Sequence, residues 1–225
     1  MFLLRNDMSN FTFNSSIKHR GSFKSDFSSD VIKNEPMFFN CDLEFAYSNG
    51  GQLTKSFIDA LPDDWLDNNP VLDSRVHMLM NGWFPCIPGY HHDDIARNII
   101  SGQPDYDNMA YQSEHLMGLV NGDICPTVFA LGIHQLPKID NDIIYKTWHP
   151  IVENQIETGV LKTYEVPSGK LIQFDWQSMH TGQRANANGW RWFIRLSRNT
   201  DRQLSITNEI RRQVQVYLEF PMEGW

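Results

Sequence analysis

The run His91-His92-Asp93-Asp94, together with the distant His180, has the residue types needed to hold a transition-metal ion. In an extended strand, residues i and i+2 point the same way. One imidazole and one carboxylate of the run can therefore reach a single metal. A histidine from a remote strand would complete three ligands on one face of an octahedron. Such a 2-His-1-carboxylate set leaves three positions open and suits Fe(II) that must take up a co-substrate and O2. Spacing alone leaves two pairings open, His91 with Asp93 or His92 with Asp94. An isolated His-x-Asp pair arises often by chance, so the surrounding sequence has to carry the assignment. His77, His115, His134 and His149 have no partner at ligand spacing and read as structural or surface histidines.

The elements that must position these residues are mostly short strands. Residues 1–40, rich in Ser, Asn, Phe and Lys, read as an irregular arm with one or two short strands. GQLTKSFIDAL places Leu53, Phe57, Ile58 and Leu61 at helical spacing, which predicts an amphipathic helix over 51–61 that stops before Pro62. RVHMLMNGWFP, from Arg75, reads as a strand and a turn, with Met78 and Met80 in the core. In PGYHHDD the Pro-Gly pair sets a bend and the His/Asp run enters another strand. Residues 97–123 read as a loop-rich insertion with a short buried piece, and 126–136 as a strand rich in β-branched and aromatic residues. YKTWHPIVENQI fits either a loop or a short helix. TYEVPSGKLIQFDW predicts a strand, a turn and a strand. Over residues 190–197, Trp190, Trp192, Ile194 and Leu196 fall on one face, and Arg191, Phe193, Arg195 and Ser197 on the other. EIRRQVQVYLEF reads as a last strand. Many short strands and few helices predict an all-β sandwich or barrel.

With these motifs in place, the chain resembles the 2-oxoglutarate/Fe(II)-dependent dioxygenases. PGYHHDD looks like their first metal-binding strand, in which an aromatic residue often precedes His-x-Asp. HTGQRANANGWRWFIRLS resembles their second half, a His followed by a Gly-containing loop and an Arg-bearing strand. The order His-x-Gly, then Gly-aromatic-Arg, is similar to phytanoyl-CoA hydroxylase; the pair of arginines, Arg191 and Arg195, is similar to taurine dioxygenase. The resemblance covers about residues 75–198. It implies a mainly β fold, a double-stranded β-helix (jelly roll, cupin-like) with a few peripheral helices. The expected layout is a single domain over 1–225: an arm, helix and support strands over about 1–70, the β-helix core over about 71–200, and a C-terminal strand over 201–225.

The resemblance favours His91, Asp93 and His180 as ligands of Fe(II), with 2-oxoglutarate and O2 as co-substrates. It implies oxidative decarboxylation of 2-oxoglutarate coupled to hydroxylation of a small molecule such as an amino acid or derivative. The carboxylate ligand favours hydroxylation over halogen transfer. A dicarboxylate co-substrate needs a buried guanidinium for its far end, because two N–H groups meet two oxygens. Arg191 is the first candidate and Arg195 the second; either could instead pair with a core carboxylate such as Asp175. Thr127 could touch a co-substrate carboxylate, and Tyr90 could pack beneath the ligands. His92, Trp176 and Gln183 are candidate substrate contacts at the mouth. The same barrel also hosts cupin-like metal proteins that do not use 2-oxoglutarate, and non-catalytic binding relatives.

Composition bounds the remaining classes. The chain has 225 residues, 41% of them hydrophobic, enough for a sizeable core without disulfides. A net charge of −8 disfavours nucleic acid and favours a small molecule, a cationic amino acid being one candidate. Three widely spaced cysteines match neither a disulfide scaffold nor a zinc ribbon and fit a reducing compartment. The opening MFLLRNDMSN is too short an apolar run for a signal-peptide core, and no run is long enough to span a membrane. The expectation is a cytoplasmic protein.

Overall fold

A computed structural model describes residues 10–108, 110–139 and 143–218. In chain order the elements are β1 (Asn10–Ser15), β2 (Ile17–Ser22), α1 (Ser29–Lys33), β3 (Met37–Phe39), α2 (Leu43–Asn49), α3 (Gln52–Ile58), α4 (Asp63–Leu66), β4 (Val71–Leu79), β5 (Glu114–Val120), β6 (Thr127–Pro137), α5 (Ile144–Glu157), β7 (Lys162–Glu165), β8 (Lys170–Asp175), β9 (His180–Gly182), β10 (Gly189–Arg198) and β11 (Glu209–Arg211). The fold is mainly β, and every strand pairing among the described residues is antiparallel. One sheet runs β2-β8-β5-β10-β4. A second runs β1-β6-β7, with β9 also paired to β6.

The period-2 pattern decides what each face meets. On β10, Trp192, Ile194 and Leu196 are fully buried in a cluster with Leu53, Phe57 and Trp65. Helices α1 to α4 supply much of that outer layer. The opposite face of the same sheet offers Met117, Ile172, Phe174 and Phe193. These pack with Phe129 and Leu131 of β6, so the two sheets form a sandwich around them. A third cluster lies beyond the second sheet, where Tyr145, Trp148 and Val152 of α5 cover Phe13, Ala130 and Leu136.

Several sequence expectations change. PGYHHDD is not a regular strand; only His91 pairs, in an isolated antiparallel bridge with His180. The expected loop-rich insertion over 97–123 contains β5, which lies between β8 and β10 in the sheet. Its residues are buried on both faces, so they lack the alternation that marks a half-exposed strand. YKTWHPIVENQI is helical despite Pro150 inside α5. The last strand is only Glu209–Arg211, and residues 219–225 lie outside the described residues. Met78 and Met80 are 43% and 44% exposed rather than core. Met78 stands opposite Trp190 near the end of β4, and Met80 lies past that end. No helix of the described residues is long and apolar enough to cross a membrane.

The helical layer depends on one buried carboxylate. Glu35 accepts from the backbone N–H groups of Gly51, Leu53 and Thr54 and from the Thr54 hydroxyl. It supplies the N-terminal cap of α3 that Gly51 cannot make with a side chain. Glu35→Ala should cost about 2–3 kcal/mol, read as a lower denaturant midpoint at unchanged m-value.

Candidate metal centre

The centre is built by a pair of backbone hydrogen bonds. His91 N donates to His180 O at 3.0 Å, and His180 N donates to His91 O at 3.1 Å. Residues exchanging both bonds in an antiparallel pair project their side chains to the same side. The two imidazole centroids are 4.7 Å apart. Gly89, at φ +122°, makes the bend that carries the chain onto β9, a conformation that disfavours any side chain. Gly182 allows the close approach, since a Cβ there would lie 2.8 Å from Cys86 Sγ and 2.9 Å from Pro85 Cγ.

Both rings are fixed in the same tautomer. His91 Nδ1 lies 2.8 Å from Gly89 O, and His180 Nδ1 lies 3.0 Å from Ser178 O. A carbonyl only accepts, so each Nδ1 carries the proton and each neutral ring keeps its lone pair at Nε2. Those Nε2 atoms face Asp93, His91 at 3.9 Å from Oδ1 and His180 at 3.2 Å from Oδ2. One ligand atom from each of the three residues falls within 4.8 Å of the others. Ligands about 2.1 Å from an ion and at right angles sit about 3 Å apart, so the set is close to what a single ion requires. Two imidazole lone pairs and a carboxylate are all acceptors, and a cation is what reconciles them. The three residues can hold a metal ion, and their mixed N/O character suits a divalent first-row metal.

Charge around the site is arranged in a chain. Arg195 Nη1 donates to Asp93 Oδ2, and its Nη2 reaches Asp73 at 3.4 Å and Asp94 at 3.9 Å. Arg202 pairs with Asp73 at 2.7 Å and Asp94 at 3.4 Å. Burial opposes ionisation of Asp93, but the Arg195 guanidinium outweighs it and holds the carboxyl well below its usual range. Burial pushes His91 down to about 4. Asp175 takes no part; it accepts from Gln177 N and the Ser178 hydroxyl.

Arg191 differs from Arg195. It is 2% exposed, and its Nη2 donates to Thr127 Oγ1 at 2.8 Å. Its Nε has no protein partner, and no carboxylate of the described residues forms an ion pair with it. Burial lowers its affinity for its proton. Arg191, Thr127 and the three candidate ligands line one cavity of about 440 Å³.

Three predicted mouth residues are elsewhere. His92 alternates away from its neighbours, meets Tyr106 Oη at 2.8 Å and packs on Phe13 in the aromatic cluster. Trp176 packs against that same cluster. Gln183 lines a second hollow of about 410 Å³, with Tyr90 and His149. Residues not singled out from sequence include Asp73 and Arg75; they reach the cavity from alternate positions of β4 together with His77, which sequence reads as a structural or surface histidine. Polar residues at every second position of an otherwise apolar strand were a usable signal. Arg211, Gln213 and Tyr217 also line the cavity, from a segment that sequence reads as plain strand.

No family model matches the chain, and no curated protein matches it. Among solved structures it is similar to an N-substituted L-amino acid dioxygenase from Burkholderia ambifaria AMMD. The two are 16% identical with a TM-score of 0.35, over 67% of this chain and 63% of that one. For the dioxygenase in complex with alpha-KG the identity is 14% and the TM-score 0.32, over 67% and 59%. The chain thus matches less than two thirds of the length of either.

Two outcomes follow from the geometry. His180→Ala and Asp93→Ala should each weaken Co(II) or Fe(II) binding by about a hundredfold or more, while His92→Ala keeps it, as read by anaerobic titration. Retained affinity in Asp93→Ala would shift the ligand pair to His92 and Asp94. Stability should also fall in acid. Burial lowers His115 to about 4 and His77 to about 3. The unfolded chain takes up these protons from about pH 6.5 downward, so stability is full above that pH. It is lost as pH falls through about 4 and on toward about 3. His115→Gln should flatten the upper part of that slope in denaturant titrations.

Proposed function

We propose that the chain is a 2-oxoglutarate- and Fe(II)-dependent dioxygenase that hydroxylates a small molecule. Its sandwich would then be a double-stranded β-helix of the jelly-roll type. The observation that supports this reading best is the buried Arg191 guanidinium, which shares a cavity with the three candidate ligands and lacks a carboxylate partner among the described residues. A buried cation without an anion is costly unless a ligand completes the pair. A dicarboxylate that chelates a metal at one end and meets Arg191 at the other satisfies both features.

In this reading His91, Asp93 and His180 hold the iron. A bound ferrous ion would supply electrons and open positions for the keto acid and O2. Arg191 clamps the far carboxylate with its paired N–H groups. Thr127 Oγ1 already accepts from Arg191, so its own proton is available to the same carboxylate. His77 stands opposite Arg191 on β4 and stays neutral, so it adds no competing charge. Arg195 keeps Asp93 ionised and oriented. Met117, Phe174 and Phe193 exclude water from the cavity wall. The net reaction takes 2-oxoglutarate, O2 and a substrate C–H to succinate, CO2 and the C–OH product, with one oxygen atom in succinate and one in the alcohol. No side chain serves as nucleophile. The three cysteines are free, which fits a reducing cytoplasm.

Succinate formation should require Fe(II), 2-oxoglutarate and O2 together. Arg191→Gln should raise the 2-oxoglutarate requirement about tenfold or more with iron affinity kept. An unchanged requirement would remove the anchor from Arg191.

A further inference from the structure

The lining of the cavity has a charge opposite in sign to the chain. The charged residues along it are Arg75, Arg191, Arg195 and Arg211 against Asp73 and Asp93, a net +2, whereas the whole chain carries −8. In the reading above, a divalent ion and the 2-oxoglutarate dianion cancel each other. The surplus remains for the substrate. The cationic substrate expected from net charge therefore does not suit this cavity.

The surplus can be located. Arg195 is committed to three aspartates and Arg191 to the co-substrate. Arg75 lies on the cavity face of β4, opposite Phe193 of β10. Its Nη1 donates to the carbonyls of Phe38 and Ser74, and no carboxylate of the described residues is within ion-pair reach of it. Among the described residues Arg211 pairs only with Glu209, at 3.6 Å, and both side chains are more than a third exposed, so water screens that pair. Three guanidinium groups lie over the Phe39 ring, Arg211 at 3.5 Å and Arg75 and Arg202 each at 5.6 Å from its centroid, and of these Arg202 is the one paired with aspartates. Ile87 and Val214 supply apolar wall nearby, and Gln213, Gln215 and Tyr217 supply neutral polar groups. A cavity of about 440 Å³ has the size of a small-molecule site.

We infer that the substrate is a small organic acid whose anionic group is held by Arg75 and Arg211, with its apolar body directed toward the metal. The inference rests on the proposed function for the roles of Arg191 and the metal. Two guanidinium forks can meet a carboxylate or a phosphate monoester. The surplus field would also draw acids in and turn amines away.

The test is anaerobic calorimetric binding to the full chain loaded with Co(II) and saturating 2-oxoglutarate, using hexanoate, phenylbutyrate and hexyl phosphate beside hexanamide and hexylamine. The order of affinity is the readout. At least one acid should bind about tenfold or more tighter than the amide and the amine. Arg211→Gln, at a partly exposed position, should lower acid affinity about tenfold, and Arg75→Gln should do the same, with 2-oxoglutarate affinity unchanged in both. Carboxylate and phosphate arms identify which acid is preferred. Acids that bind no better than hexylamine, or acid affinity untouched in both variants, would overturn the inference. If wild type binds acids through Arg75 and Arg211 but does not bind 2-oxoglutarate, the co-substrate reading fails and the acid site stands.

Discussion

The centre depends on the reciprocal backbone hydrogen bonds between His91 and His180. That bridge joins a loop that has no regular strand to a three-residue strand of the second sheet. Once it forms, ring separation and side follow from antiparallel geometry. Tautomer follows too, because each Nδ1 meets the carbonyl two residues earlier in its own chain segment. Asp93 is brought in by the next turn, in which Asp94 adopts φ +45°. The sandwich supplies rigidity beneath: Phe129 and Phe174 pack on the His180 ring.

Two arginines on one face of β10, four residues apart, have opposite electrostatic settings. Arg195 is surrounded by Asp93, Asp73 and Asp94, and its charge is spent within the protein. Arg191 is more deeply buried and, among the described residues, hydrogen-bonds only a hydroxyl. Pairing within the protein keeps a candidate metal ligand ionised, whereas Arg191 has no carboxylate partner among the described residues. The same contrast recurs further out, where Arg202 is paired and Arg75 is not. The cavity therefore sorts its cations into structural ones and receptive ones.

Much of this was legible from sequence. The alternation of Trp192, Ile194 and Leu196 with Arg191, Phe193 and Arg195 carries through to two chemically distinct faces. The convergence of His91, Asp93 and His180 was also within reach, because a histidine at i and a carboxylate at i+2 share a side even where the strand is reduced to a bridge. The position of His92 was half legible: alternation turns it away, but only tertiary packing sends it to Tyr106 and Phe13 rather than to a rim. The β5 strand was hidden because burial on both faces erases period-2 patterning. Trp176 and Gln183 lie near His180 in sequence yet face other clusters, since proximity along the chain does not set direction. Arg211 and Tyr217 were illegible as cavity residues because their approach depends on non-local pairings, Arg211 with Met37 and Tyr217 with Phe84.

The central claim is that one ion and one keto acid occupy the same cavity, bracketed by His91, Asp93 and His180 at one end and Arg191 at the other. Anaerobic addition of Fe(II) and then 2-oxoglutarate to the full chain, followed by visible absorption, tests it most directly. The account predicts a metal-to-keto-acid charge-transfer band that saturates at one iron per chain and appears only after 2-oxoglutarate is added. Iron that binds at that stoichiometry while 2-oxoglutarate leaves the spectrum unchanged would contradict it.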